Sequence, residues 1–102
     1  MLKTNKPHNK CYVYTLLSLK KYSFYTGFTT DLKRRITEHI RGLIDSTEIK
    51  PPFRLIHYEC FLDLEDAKAR EKFLKSNVGK AQLKNSLKHT LKSHRNYPYK
   101  LF

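Results

Sequence analysis

Two tyrosine-bearing tripeptides, Tyr12-Val13-Tyr14 and Tyr25-Thr26-Gly27, stand ahead of a basic segment, Asp31-Leu32-Lys33-Arg34-Arg35, that leads on to His39. Far downstream comes Arg70-Glu71-Lys72. Two phenols, a guanidinium, an imidazole and a carboxylate form a set able to do acid–base chemistry. A phenol, whose pKa is ordinarily about 10, can serve as a base when nearby cations hold its anion, and Arg35, Lys33 and a positive field offer that support.

These groups fall on elements whose spacing is legible. Lys10 to Leu17 is rich in β-formers and Tyr22 to Phe28 is a second aromatic run, with polar Ser18 to Lys21 between them, which predicts a hairpin. Tyr12 and Tyr14 then share one strand face, with Tyr25 within cross-strand reach. Gly27 ends the second run, where a glycine permits a backbone conformation or a close approach that other residues resist. Thr30 and Asp31 supply a cap and a first-turn acid for a helix from Asp31 to Arg41, carrying Leu32, Ile36, Ile40 and Leu43 on one stripe, with Gly42 as its stop. Ile44 to Pro52 is a connecting loop, and Phe53 to Phe61 is a third strand. Asp63 caps a second helix, with Asp66 placed as in a capping box. Its stripe is Leu64, Ala67, Leu74 and Val78; a shorter helix covers Lys80 to Leu87, and the remainder to Phe102 has no clear period.

Both stripes carry intruders. On a wheel of about 100° per residue, Glu71 falls at about 340° from Leu64, inside the apolar stripe of the second helix. On the first helix His39 falls at about 340° and Arg35 at about 300° from Leu32, beside Ile36 and Leu43. An ionised acid buried alone is neutralised, paired or bound to a metal. A single intruder of this kind is most often half of a buried ion pair or a satisfied core histidine. Three of them, on two helices packing against one sheet, can converge at its rim, where a site would lie.

Composition narrows the partner. The 102 residues suffice for one domain, and 21 basic against 9 acidic residues leave a net charge of +12, which suits a polyanion, nucleic acid above all. An aromatic content of 13% argues against disorder. Cys11 and Cys60 lie far apart in apolar stretches with no ligand spacing around them, as expected of buried free thiols. No apolar run approaches a membrane span and the start, Met1 to Lys6, lacks the apolar segment of a signal peptide, so a cytoplasmic protein without membrane contact is expected. The organisation expected is an extension at 1–9, a domain at 10–87 and a basic aromatic tail at 88–102.

Taken together, Tyr12-Val13-Tyr14, Tyr25-Thr26-Gly27, Thr29 to His39, Pro52 to Glu59 and Ala69 to Ser76 resemble the GIY-YIG nuclease superfamily, in the manner of its small standalone bacterial members, across most of residues 11 to 80. The sequence departs from that pattern at Tyr12, in place of glycine, and at Thr26, in place of isoleucine, and has only Asn77 near the position of a late family asparagine. The resemblance implies an α+β fold, a three-stranded antiparallel sheet flanked by helices, and a divalent-metal-dependent endonuclease that hydrolyses DNA phosphodiester bonds, with single-stranded or branched DNA as candidate substrates and RNA not ruled out. It further implies Tyr14 as the residue that activates or positions water, Tyr25 as its partner at the phosphate, Arg35 as the phosphate clamp and His39 as the assistant of Tyr14. Glu71 would be the ligand of Mg²⁺ or Mn²⁺, which takes one or two carboxylates plus waters and phosphate oxygens. Lys33, Arg34, Arg70, Lys75 and Asn77 would contact nucleic acid. Two readings stand beside it: a nucleic-acid-binding module that cleaves nothing, and a buried polar network of Arg35, His39 and Glu71 with a purely structural role.

Overall fold

The computed structural model describes residues 10–42 and 52–95. In chain order these form β1 (Cys11–Ser18), β2 (Phe24–Thr29), α1 (Leu32–Ile40), β3 (Phe53–Phe61), α2 (Leu64–Lys75), α3 (Asn77–Ser86) and α4 (Lys88–Arg95). The strands make one three-stranded antiparallel sheet in the order β2-β1-β3. The expected α+β fold is therefore present. Its central strand is β1, buried almost throughout, as its run of apolar and small residues requires.

Register decides what each side chain meets. Tyr14 pairs with Gly27 of β2 and with Tyr58 of β3, while Leu16 pairs with Tyr25, so Tyr12, Tyr14, Leu16, Tyr25 and Tyr58 share a sheet face. Between β1 and β3 the register shifts at Thr15/Leu16, with Ile56 as the extra residue of a bulge. This puts Leu55 opposite Leu16 and Phe53 opposite Ser18.

Each sheet face has its own core. On one, Cys11 and Val13 pack with Ala67, Leu74 and Leu83 from α2 and α3, joined by Phe24, Phe28, Phe61, Phe73 and Leu87. On the other, Tyr14 and Leu16 pack with Tyr25, Phe53 and the α1 residues Leu32 and Ile36. The α1 stripe is narrower than expected, because Ile40 is 66% exposed, and Leu43 lies outside the described residues.

Helix ends follow side-chain chemistry. Asp31, not Thr30, is the N-cap of α1, accepting from Arg34 N at 3.1 Å, and Gly42 at φ 73° follows the helix in the left-handed region that favours glycine. Asp63 caps α2 as expected, with Glu65 and Asp66 in its first turn and Lys72 and Lys75 in its last. The second helix does not run on to Val78. It stops at Ser76, whose Oγ donates to Phe73 O at 2.6 Å and accepts from Gly79 N at 3.0 Å, ending α2 and starting α3. Val78 consequently sits on α3 and is 62% exposed.

Two further expectations are corrected. The segment after Leu87, read as lacking a period, begins with the helix α4, whose Leu91 carbonyl accepts from the Tyr22 hydroxyl; residues 96–102 lie outside the described ones. A helix of 8 residues is too short for apolar periodicity to stand out. Of the two cysteines expected to be buried, Cys11 is buried but Cys60 is exposed, because it lies near the end of the edge strand on a face α1 leaves open.

Candidate active site

Strand β1 presents Tyr14 toward α1, and the ring fits only because its partner on β2 is Gly27. A Cβ added at Gly27 would overlap the Tyr14 hydroxyl and Cζ, so the close approach expected of this glycine is to the phenol itself. Helix α1 supplies His39, whose Nε2 lies 3.1 Å from the Tyr14 hydroxyl. Three rings meet the imidazole edge-on: Tyr14 at 5.9 Å, Tyr25 at 5.6 Å and Phe53 at 5.8 Å between centroids. Tyr14 is 1% and His39 4% exposed.

This enclosure sets protonation. Burial, with the neighbouring Tyr25 adding to it, pushes the Tyr14 phenol up to about 12 against the pull of the Arg35 guanidinium, and the Glu71 and Glu38 charges push the same way as burial. Burial, then the charge of Arg35, holds the His39 imidazole below its usual range, with Glu38 opposing them. At neutral pH the pair is therefore a neutral phenol beside a neutral imidazole, rather than a phenolate held by cations.

Arg35, one turn before His39 on α1, keeps a buried Nε that makes no hydrogen bond; the Glu38 carboxylate stands 3.5 Å away. That nitrogen is sealed from solvent with Glu38 as its counter-charge, while the side chain as a whole is 35% exposed, so the rest of the guanidinium is what an incoming oxyanion would meet. Glu71 is partly buried on α2, with its Oε2 3.0 Å from Lys75 Nζ one turn on, and is near enough for its charge to act on the Tyr14 phenol. Tyr14, Tyr25, Arg35, His39 and Glu71 thus form one electrostatic neighbourhood. Tyr25, Arg35 and Glu71 are partly exposed, so a ligand arriving from solvent meets them first.

The other candidates are more dispersed. Lys33 and Arg34 are exposed on the outer side of α1, where Arg34 lies 4.0 Å from Asp31 and 3.9 Å from Glu38. Arg70 turns to β3 and grips Glu59 through Nε at 2.9 Å and Nη2 at 3.1 Å, while His57 Nε2 lies 2.9 Å from the same carboxylate. Burial alone would raise Glu59, but the Arg70 and His57 hydrogen bonds outweigh it and hold the carboxyl below its usual range. Asn77 is the exposed first residue of α3.

Sequence reasoning missed Phe53, Tyr58, Glu38 and the Glu59–Arg70 clamp. For Glu38 a signal existed, since it lies three and four residues beyond Arg35 and Arg34 on one helix. Tyr58 and Phe53 depend on the bulged register, which local sequence does not announce.

Among the described residues no three His, Cys, Asp or Glu side chains gather as a metal cage. The donor set fits only a hard cation that takes a single carboxylate and completes its shell with waters and substrate oxygens, and Glu71 is the carboxylate so placed. No helix among the described residues is long and apolar enough to cross a membrane.

Known proteins align with this arrangement. Residues 10–85 match the GIY-YIG catalytic domain. The chain is 41% identical over 66 residues to UPF0213 protein HQ_3675A of Haloquadratum walsbyi, covering 64% of this chain and 73% of that one. It is 36% identical over 74 residues to UPF0213 protein SpyM3_1077 of Streptococcus pyogenes, covering 72% and 79%. The solution NMR structure of UPF0213 protein BH0048 from Bacillus halodurans is 40% identical, covers 72% of this chain and 81% of that one, and superposes with a TM-score of 0.48. A nuclease-type catalytic domain, the early tyrosines and the helix with Arg35 and His39 all lie within the matched span, and the chain belongs to the GIY-YIG family, alongside the small UPF0213 proteins.

Proposed function

We propose that this protein is a divalent-metal-dependent endonuclease that hydrolyses DNA phosphodiester bonds, with single-stranded or branched DNA as its substrates. The observation that carries the reading is the buried Tyr14–His39 pair set beside an Arg35 whose Nε has no hydrogen-bond partner. Arg35 takes the scissile phosphate in a charge-assisted fork and holds the charge that builds on it. Tyr25 donates to the same phosphate from the rim. Tyr14 accepts a proton from the attacking water as its own proton passes to His39 Nε2, so the phenol never has to exist as a free phenolate despite a pKa near 12. Glu71 would hold Mg²⁺ or Mn²⁺, and the ion would supply Lewis-acid polarisation of the phosphate and charge neutralisation at the leaving oxygen. Lys33, Arg34, Lys75, Asn77 and the solvent side of Arg70 contact the flanking backbone, within a field of net charge +12.

Cleavage of supercoiled plasmid and of single-stranded and branched oligonucleotides with Mg²⁺ tests this, and activity unchanged in Glu71→Ala sinks the mechanism. One observation favours the non-cleaving module instead: Lys75 sits 3.0 Å from the Glu71 carboxylate and competes for the cation's place. Salt-dependent DNA binding with no cleavage under Mg²⁺ or Mn²⁺, in wild type and in Lys75→Ala alike, would favour that alternative.

A further inference from the structure

Beside the proposed phosphate site, α1 and the open half of the sheet line a shallow, open cleft of about 530 Å³ between Tyr12, Tyr58 and Leu55 on the sheet and Leu32 and Ile36 on the helix, with Lys33 and Asp31 also lining it. Its size is that of a small-molecule site, and its lining is aromatic and aliphatic with a few polar groups at the edge. Tyr58 is directly opposite Tyr14 on the neighbouring strand, yet Tyr14 is 1% exposed and Tyr58 54%. The Tyr58 ring meets Tyr12 edge-on at 6.3 Å between centroids, which braces it and leaves much of its surface open to the cleft.

We propose that this cleft is a nucleobase subsite, in which an unpaired base next to the scissile phosphate stacks on Tyr58 with Tyr12 as its brace. The inference rests on the nuclease reading for its placement. Tyr25 pairs with Leu16 and Tyr58 with Tyr14, so these two are offset by about 6.8 Å along the strands and about 9.6 Å across the sheet, and a strand whose phosphate sits at Tyr25 and Arg35 carries a neighbouring base toward the cleft. Lys33 in the lining, with Arg34 and Arg35 on the same helix, provides the positive charge that a nucleotide backbone needs. Aromatic stacking accepts any base and requires it to be unpaired, which gives the chain a preference for single-stranded or junction DNA without a base-reading contact. A cross-strand Tyr12–Tyr58 pair serving the sheet alone would leave the cleft beside it without a role.

The experiment uses a 12-nucleotide single-stranded DNA with 2-aminopurine stepped along it, bound to the full chain in EDTA so that binding is read without cleavage. Quenching at one nucleotide in wild type, its loss in Tyr58→Ala with affinity lower by about tenfold, and its retention in Tyr58→Phe are expected. An abasic site at that nucleotide weakens wild type and leaves Tyr58→Ala unchanged. Equal quenching and affinity in Tyr58→Ala, or an abasic site without effect, overturns the subsite. So does a sedimentation shift on Tyr58→Ala without change in DNA binding, which would assign the cleft to a second copy of the chain. Absence of cleavage with Mg²⁺ while Tyr58-dependent quenching persists overturns the nuclease reading and keeps the subsite; cleavage without that quenching does the reverse.

Discussion

The two faces of the sheet are built on opposite principles. Toward α2 and α3 the core is apolar, with Val13, Ala67 and Leu74 at or near zero exposure among phenylalanines, and the charges on that side, Arg70, Glu59 and His57, satisfy one another. Toward α1 the same strand buries a phenol against an imidazole, beside an arginine nitrogen with no hydrogen-bond partner. The comparison teaches that one strand separates its tasks by parity: alternate residues of β1 go to stability or to the polar site. Glu71 crosses the division, since α2 packs on the apolar side while the Glu71 charge reaches Tyr14.

Substitution breaks or sharpens this contrast. The largest effect is expected at the polar site: Glu71→Ala and Arg35→Ala each lower the cleavage rate by about 10³-fold, and Arg35→Lys recovers little, because an ammonium lacks the planar fork. Melting temperatures within a few degrees of wild type would show that the loss is chemical. A large thermal loss in Arg35→Ala would point to the structural network instead.

Next comes the apolar face. Leu74→Ala removes a fully buried side chain, and urea titration is expected to show a loss of about 3 kcal/mol with cleavage per folded molecule retained.

Smaller still is a coupling at Gly27. Gly27→Ala forces the phenol aside and costs about 2 kcal/mol, with reduced cleavage, whereas in a Tyr14→Ala background the same change costs much less. Equal costs in both backgrounds would refute the close-approach argument.

The smallest effect is on pH. His39 is held below its unfolded value, so between the two values the unfolded chain binds more protons, and stability rises with pH there. The contribution is complete above the ordinary histidine value of 6.5 and is lost as pH falls through the folded value. Glu59, also lowered, adds a second loss of the same sign below 4.5. Denaturation of His39→Gln between pH 5 and 8, flatter than wild type, checks the first; the value of about 6.5 for free histidine sets the window.

Much of this was legible in sequence because it is local. The three strands, the Asp63 cap of α2 and the Gly42 stop all follow from period and residue type, and close approach was one of two reasons the sequence offered for Gly27. Arg35 and His39 were visible as intruders on the first helix, and the structure does bring them to Tyr14. Glu71 was picked out partly for a poor reason: the stripe used to place it ran from Leu64 to Val78, and both are exposed, the chain breaking at Ser76. The family motif, rather than the wheel, carried that residue. Tyr58 and Phe53 stayed hidden because their placement depends on pairing between distant strands.

The bulge at Ile56 makes β3 a ruler with two independently set scales. Residues 57–61 count from one origin and 53–55 from another; were Ile56 paired with Leu16 instead of bulged out, Tyr58 would stay opposite Tyr14 while the lower half of the strand slipped by a single step, bringing Arg54 opposite Ser18. Arg54 would then take the place of Phe53 against His39, pressing a cation onto an imidazole already reluctant to gain one. A single unpaired residue thus decides which side chain His39 meets, without moving Tyr58.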